Sequence, residues 1–322
     1  MPIDPSTLGA AARRHLAIAQ RVADAHRGID DASLLAFVSG STVEDLVDDL
    51  SDVDMSVIFA TLPGEAALRG ACRRAAGATA TEALRGAGAD AGAAAGTVGG
   101  AGDQPEGEWF WSMGNPESPS EGGVVAFRID GIEVQIGYAT EAGLAADIHD
   151  LLVKHNPDTP NHKLAEGIAK ALPLAGAEKL LALQQRLARF PDGLARAMVE
   201  QGLNAKPIHW RAARQIVHRD APLWSREIQV EACYSLLLVL CGLNRRWFTR
   251  FQVKRMRRLA HKLPIAPENL VPRIEHLLSA PPREGFDSLH ALEAEVLALL
   301  TAHMPEVDLA PVRRRHLAYA VV

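Results

Sequence analysis

Residues 34–59 read LLAFVSGSTVEDLVDDLSDVDMSVIF, and this stretch decides the fold. The apolar run at residues 34–38 has the composition of a strand buried on both faces of a sheet, and residues 55–59 predict a second strand. Between the two lie the small-residue pair Gly40-Ser41, an acidic segment that we predict to be a short helix, and Asp52-Val53-Asp54. The order of these parts predicts two strands with a small-residue turn and two carboxylates between them.

The turn and the two aspartates are suited to phosphate and metal chemistry. Side chains alternate along a strand, so Asp52 and Asp54 point to one face, about 7 Å apart for a rise of roughly 3.3 Å per residue. Carboxylates placed in this way can converge on a hard cation, and Mg²⁺ takes one or two protein carboxylates together with phosphate oxygens. Gly40 permits a backbone conformation closed to other residues, while Ser41 can cap the next helix and direct its first amides at a phosphate. The segment therefore predicts a site for a nucleotide and a metal ion.

Length, composition and charge limit the function classes. The chain has 322 residues, 48% of them hydrophobic and 23% charged, which suffices for a sizeable core and for two domains. The formal net charge of -5 argues against nucleic acid as a partner. Three cysteines without a CxxC pair argue against a disulfide framework and against a zinc site. We expect a soluble cytoplasmic protein without a membrane partner, because the N-terminus does not resemble a signal peptide and the longest apolar run, residues 235–241, is too short to cross a bilayer.

Residues 1–140 predict a mixed unit of helices and strands. One amphipathic helix is expected over about residues 6–26, and another begins at Pro63-Gly64. Residues 75–104 form an Ala/Gly-rich insertion whose glycines weaken any helix, and we interpret its latter half as a loop. Two strands flank Asp130-Gly131, a pair typical of a two-residue hairpin.

Residues 141–322 predict an all-α domain, because helical patterns recur with prolines between them. The helices are expected around residues 141–154, 162–172, 176–189, 193–202, 207–219, 223–243, 250–262, 268–279 and 287–303. The predicted fold class is therefore α+β, with a small mixed sheet flanked by helices and followed by a helical C-terminal domain.

The pair Gly40-Ser41 followed by Asp52-Val53-Asp54 resembles the signature of the DNA polymerase beta superfamily of nucleotidyltransferases, which includes kanamycin-type antibiotic nucleotidyltransferases and minimal bacterial ones. The resemblance covers about residues 33–138. It implies that Gly40 and Ser41 bind the phosphates of a nucleoside triphosphate, with ATP as the expected one. It also implies that Asp52 and Asp54 hold Mg²⁺ while an acceptor oxygen attacks the α-phosphorus and pyrophosphate leaves.

The family pattern adds a third carboxylate from a later strand, as a metal ligand or as the base toward the acceptor hydroxyl. In this chain the strand is residues 132–136, and Glu133 and Gln135 share its polar face. We predict Glu133 as the catalytic and metal-binding acid because it is the carboxylate on that face. If Gln135 takes the position instead, its amide cannot act as a base.

The helical half contains a basic segment at residues 245–258, with seven arginines and lysines and with Trp247, Phe248 and Phe251 between them. Such a segment can contact a triphosphate through charge and stacking, and Lys254 is the residue that we predict to bind the nucleotide. A basic helical surface whose aromatic residues belong to the core gives the same pattern.

Together these features predict an enzyme, a Mg²⁺-dependent nucleotidyltransferase that moves a nucleoside monophosphate from a nucleoside triphosphate to a hydroxyl of a small molecule or protein. The sequence identifies neither the acceptor nor the oligomeric state. The alternative is a catalytically inactive nucleotide-binding or antitoxin-like partner module, which Gln135 and the Ala/Gly-rich insertion favour. A third hypothesis is a nucleotide-adding enzyme acting on RNA, against which the acidic net charge argues.

Overall fold

The computed structural model describes residues 5–77, 110–113, 122–157, 160–204, 219 and 221–320. It divides into two compact units, the first formed by residues 1–148 and 164–188 and the second by residues 149–163 and 189–322. The sequence predicts a single domain boundary at residue 140. In the structure, a later segment, residues 164–188, belongs to the first unit. The Ala/Gly-rich insertion and the helix expected at residues 207–219 lie almost wholly outside the described residues.

The first unit is built on a mixed β-sheet. Its strands are β1 (Leu35–Val38), β2 (Val53–Phe59), β3 (Phe110–Met113), β4 (Gly122–Ile129), β5 (Ile132–Thr140) and β6 (Leu172–Ala175). In the described part of the chain, these strands lie in the order β3-β4-β5-β2-β1-β6. Strands β2 and β5 run parallel, and the other neighbouring pairs are antiparallel. The predicted α+β class with a mixed sheet is confirmed.

Two helices cover one face of this sheet. They are α1 (Ala10–Asp30) and α2 (Glu65–Ala76), which share a buried core with β1, β2, β4 and β5. Val53 and Val134 point into this core and are fully buried. Because side chains alternate along a strand, the residues on either side of each valine point to the opposite face.

The hairpin between β4 and β5 confirms the turn predicted from Asp130-Gly131. Asp130 has a φ of 52° and Gly131 a φ of 77°. Two successive residues with positive φ are what a two-residue hairpin of the right twist requires, and Asp followed by Gly tolerates that conformation well. The hairpin places β5 beside β2, and β5 carries both candidates for the third acidic position.

The edge strand β6 was not predicted, because its segment reads as the end of a helix followed by a proline. Two helices precede β6 in the chain, α3 (Glu141–Leu152) and α4 (Asn161–Lys170), and α5 (Ala177–Leu187) follows it. Pro173 is tolerated in β6 because, among the described strands, β6 pairs with β1 alone. At Gly176 the φ is 66°, and a Cβ atom there would lie 2.7 Å from the Leu34 carbonyl oxygen, so glycine allows the chain to pass closely over β1.

The second unit consists of helices. They are α6 (Asp192–Asn204), α7 (Pro222–Leu243), α8 (Met256–His261), α9 (Leu270–Ser279), α10 (Pro282–His303) and α11 (Ala310–Ala320), with a 3-10 helix at Arg250–Arg255. Helix α7 packs against α6, α9 and α10. The helix predicted over residues 250–262 is thus divided in two, and α11 was not predicted. No described helix is long and apolar enough to cross a membrane.

Candidate functional site

Gly40 and Asp54 meet at the centre of the candidate site. Gly40 has a φ of 68°, and a Cβ atom at this position would lie 2.5 Å from Oδ2 of Asp54. The backbone amide of Ser39 donates a hydrogen bond to the Asp54 carbonyl oxygen at 2.9 Å, which fixes the end of β1 against β2. Glycine therefore provides both the conformation and the space that this junction needs. The two predicted residues, fourteen positions apart, are brought into direct contact.

The segment after Gly40 is a turn, and the short acidic helix predicted there is wrong. Asp45 takes a positive φ of 53°, and its Oδ1 accepts a hydrogen bond from the Gly9 amide at 2.8 Å. Thr42 and Val43, the two β-branched residues after Ser41, are buried. Their burial and the hydrogen bond of Asp45 outweigh the weak helical propensity of the segment. Ser41 therefore caps no helix, and a phosphate would meet the turn itself at this position.

Asp52 and Asp54 are half-buried at the start of β2, on the sheet face opposite the core of α1 and α2. The parallel register pairs Asp54 with Gln135 of β5. The register begins at the pair Val53 and Val134, and Asp52 and Glu133 are the residues immediately before this pair. Asp52 and Asp54 therefore flank Val53 as Glu133 and Gln135 flank Val134, which places the four polar residues on one face.

Gln135, not Glu133, is the direct neighbour of Asp54 on the adjacent strand. Nε2 of Gln135 donates a hydrogen bond to Oε1 of Glu133 at 2.9 Å, and Glu133 lies opposite Arg128 of β4. In the described part of the chain, Asp52, Asp54 and Glu133 do not bring three ligand atoms within 4.8 Å of one another. A shared metal ion at these three residues remains a prediction.

His15 of α1 is a residue of the site that the sequence analysis missed. Its side chain is buried, Nδ1 lies 3.4 Å from Oγ1 of Thr42, and the ring is hydrogen-bonded to the backbone of Asp52. Burial lowers the pKa of His15, although the contact with Asp52 acts in the opposite direction. A neutral ring thus ties α1 to the turn and to the start of β2. The signal in the sequence was a histidine within the apolar stripe of α1.

Lys170 at the end of α4 holds the turn from the other side. Its Nζ donates hydrogen bonds to Oε1 of Glu44 at 2.6 Å and to Oε1 of Glu166 at 2.8 Å. Burial acts to lower the pKa of Lys170, but the hydrogen bonds and charges of the two glutamates outweigh it and raise the pKa. Glu44 is therefore committed to an ion pair beside Gly40-Ser41. No local pattern indicates this contact, because Lys170 and Glu44 are 126 residues apart.

The basic segment at residues 245–258 belongs to the second unit, and much of its charge is neutralised there. Three of its arginines form ion pairs, namely Arg245 with Asp192, Arg250 with Glu231 and Arg257 with Glu275. Nζ of Lys254 lies 5.6 Å from the centre of the exposed Phe251 ring, and Nζ of Lys163 lies 4.9 Å from it. These contacts fit a basic helical surface, and the predicted nucleotide contact of Lys254 remains a prediction.

Comparisons with known proteins show distant structural similarity. No protein-family model matches the chain, and no curated protein matches it. Among solved structures, the chain is similar to a nucleotidyltransferase-like protein from Exiguobacterium sibiricum 255-15, with 13% sequence identity and a TM-score of 0.40. The similarity covers 91% of this chain and 81% of that protein. A functional proposal therefore has to rest on the geometry of the site.

Proposed function

We propose that the chain is a nucleotidyltransferase, which moves a nucleoside monophosphate from a nucleoside triphosphate to a hydroxyl of a small molecule or protein. The observation that carries the proposal is the fit of Gly40 against Asp54. Gly40, which has no side chain, places the backbone of the turn directly beside carboxylates on one face of the sheet. This combination suits a triphosphate with its cation, since backbone amides can approach the phosphates while oxygen ligands approach the metal.

The donor set at this junction fits Mg²⁺, with ATP as the expected nucleotide. Asp52 and Asp54 would hold the ion, and the remaining positions would be filled by phosphate oxygens and water. The neighbour of Asp54 across the strands is Gln135, whose amide oxygen is also a hard donor. When bound, Mg²⁺ would neutralise the charge that develops on the phosphates.

Glu133 is the group that we propose to act on the acceptor hydroxyl. The hydrogen bond from Gln135 to Oε1 orients this carboxylate on the face of the sheet opposite α1 and α2. Glu133 would accept the hydroxyl proton as the hydroxyl oxygen bonds to the α-phosphorus. The bond between the α-phosphorus and its bridging oxygen breaks, and pyrophosphate leaves with that oxygen and the electron pair.

The proposal is tested by pyrophosphate release from nucleoside triphosphates in the presence of Mg²⁺ and a panel of hydroxyl acceptors. We expect the double variant Asp52→Asn, Asp54→Asn to lose about 10²-fold or more of the turnover without loss of helical content. Asp49→Asn is the matched control, because Asp49 is an exposed acid of the same loop. Full turnover in the double variant would contradict the proposal.

The register of β5 favours a second candidate, a nucleotide-binding or antitoxin-like partner module without turnover. Gln135 lies opposite Asp54, and an amide cannot take a proton from an acceptor. Calorimetric titration with ATP, with and without Mg²⁺, separates the two candidates when it is combined with the pyrophosphate assay. Mg²⁺-dependent binding with no turnover on any acceptor favours the module, and turnover that depends on Glu133 favours the enzyme.

A further inference from the structure

His290, Glu293 and His316 form a cluster in the second unit. Among the described residues, these are the side chains that bring three potential ligand atoms within 4.8 Å of one another. Nδ1 of His316 lies 2.9 Å from Oε2 of Glu293. The rings of His290 and His316 stack with their centres 3.7 Å apart and their planes 11° from parallel.

Two helices position this cluster. His290 and Glu293 are three residues apart on α10 and therefore share one face of that helix. His316 comes from α11, which packs against α10. A second link joins the same helices, because Nη2 of Arg313 donates a hydrogen bond to Oγ1 of Thr301 at 2.6 Å. The three side chains thus face one another across a fixed helix pair.

We propose that His290, Glu293 and His316 bind a divalent transition-metal ion, with Zn²⁺ as the best chemical match. Two imidazoles and one carboxylate form a ligand set that zinc accepts at about 2.0–2.2 Å, with a fourth position left for water. Ligand atoms of a tetrahedral zinc ion lie about 3.3 Å apart, and the three atoms here lie within 4.8 Å of one another.

The surroundings of the cluster favour metal binding. The side chains of Glu293 and His316 are only 13% and 15% exposed, so bulk water competes little for the ion. The carboxylate of Glu293 offsets part of the charge of the ion.

Binding requires one local rearrangement. The lone pair of an imidazole nitrogen lies in the plane of the ring, so two stacked rings direct their lone pairs in parallel. One ring must therefore rotate about χ2, and the contact between His316 and Glu293 is replaced by bonds to the metal. The cysteine pattern predicts no zinc site. This cluster could not be predicted from a short motif, because His316 lies 23 residues beyond Glu293.

The experiment uses the full chain, stripped of metal with a chelator and titrated with Zn²⁺ and with Co²⁺ as a spectroscopic probe. We expect one tight equivalent, with the visible Co²⁺ spectrum of a low-coordinate nitrogen and oxygen site. His290→Ala and His316→Ala should each weaken binding by about tenfold or more. The control His303→Ala removes an exposed histidine from the last turn of the same helix and should bind as the wild type does.

Two further variants separate metal ligation from misfolding and from the candidate nucleotide site. His316→Gln retains a hydrogen-bonding group toward Glu293, so its loss of zinc binding with unchanged helical content would identify ligation rather than misfolding. The double variant Asp52→Asn, Asp54→Asn should keep the tight zinc equivalent, which separates this site from the candidate nucleotide site. Failure of the wild type to bind zinc at micromolar concentration would overturn the proposal, as would wild-type affinity in both alanine variants.

Discussion

Oδ2 of Asp54 lies 2.5 Å from the point where a side chain on Gly40 would begin. The backbone on both sides is fixed, because the Ser39 amide is hydrogen-bonded to the Asp54 carbonyl oxygen. A side chain at residue 40 can therefore be accommodated only if the carboxylate moves. The conformation of the turn and the position of the proposed metal ligand are thus one structural unit.

Replacing Gly40 with alanine should damage both stability and activity. A non-glycine residue at positive φ costs roughly 1–2 kcal/mol, and the added Cβ displaces the Asp54 carboxylate. We expect a loss of about that size in the free energy of unfolding, measured with urea, and a larger proportional loss of pyrophosphate release. Gly64→Ala is the matched control, because a Cβ atom there meets nothing within 4 Å. Equal activity in the two variants would contradict the proposed role of the turn.

The pair Glu133 and Gln135 offers a test that distinguishes the enzyme from the inactive module. If Glu133 is the base, Glu133→Gln should lower kcat by about 10²- to 10⁴-fold with little change in KM for the nucleotide. Gln135→Glu places a carboxylate opposite Asp54 and should increase the affinity for Mg²⁺.

The outcome for the wild type decides how these variants are interpreted. An active wild type whose kcat is unchanged in Glu133→Gln would show that Glu133 is not the base. An inactive wild type that gains turnover through Gln135→Glu would instead identify Gln135 as the third position of the site. Metal affinity and pyrophosphate release, measured on the same preparations, provide both results.

Lys170→Met should loosen the turn that carries Gly40-Ser41. The change leaves two largely buried carboxylates, Glu44 and Glu166, without their shared lysine. We expect a decrease of about 1–2 kcal/mol in the free energy of unfolding, since loss of one partner costs more than the pair contributes. Lys154→Met removes one ion pair, with Asp150, from a lysine that is 64% exposed, against 32% for Lys170, and should cost less than about 0.5 kcal/mol. Equal losses in urea denaturation would contradict the assignment.

Local signals predicted the parts of the sheet that depend on local interactions. The hairpin at Asp130-Gly131 follows from the positive φ that this pair tolerates, and β1 and β2 follow from apolar runs bounded by small and acidic residues. The strand β6 could not be predicted, because Pro173 in an apolar segment is compatible with a helix end. Only pairing with β1 makes that segment a strand.

The third position of the candidate site shows why sequence alone could not complete it. Glu133 and Gln135 are two residues apart on one strand, so their side chains share one face. Alternation along the strand therefore does not distinguish between them. Which of them lies beside Asp54 is decided by the register between β5 and β2, a tertiary property. Likewise, the contacts of His15 and Lys170 with the site join distant segments and leave no local pattern.

The second unit should lose stability as the pH falls below about neutral, because of His162. The side chain is buried, and burial lowers its pKa from 6.5 to about 4. Its Nδ1 accepts a hydrogen bond from the Phe248 amide. Its ring and the Trp247 ring are arranged edge to face, with their centres 5.7 Å apart. Between pH 6.5 and pH 4 the unfolded chain binds the proton that the folded chain excludes, so the free energy of unfolding decreases as the pH falls.

The full effect of this histidine is about 3 kcal/mol, from roughly 1.4 kcal/mol for each pKa unit. His162→Gln retains an acceptor for the Phe248 amide but has no titration in this range. Urea denaturation from pH 7 to pH 4, followed by tryptophan fluorescence, should therefore show a flatter pH dependence for the variant. Some dependence will remain, because burial also lowers the pKa values of His15 and His26. If the free energy of unfolding has the same slope against pH in the variant and the wild type, the pKa of His162 is not lowered by folding.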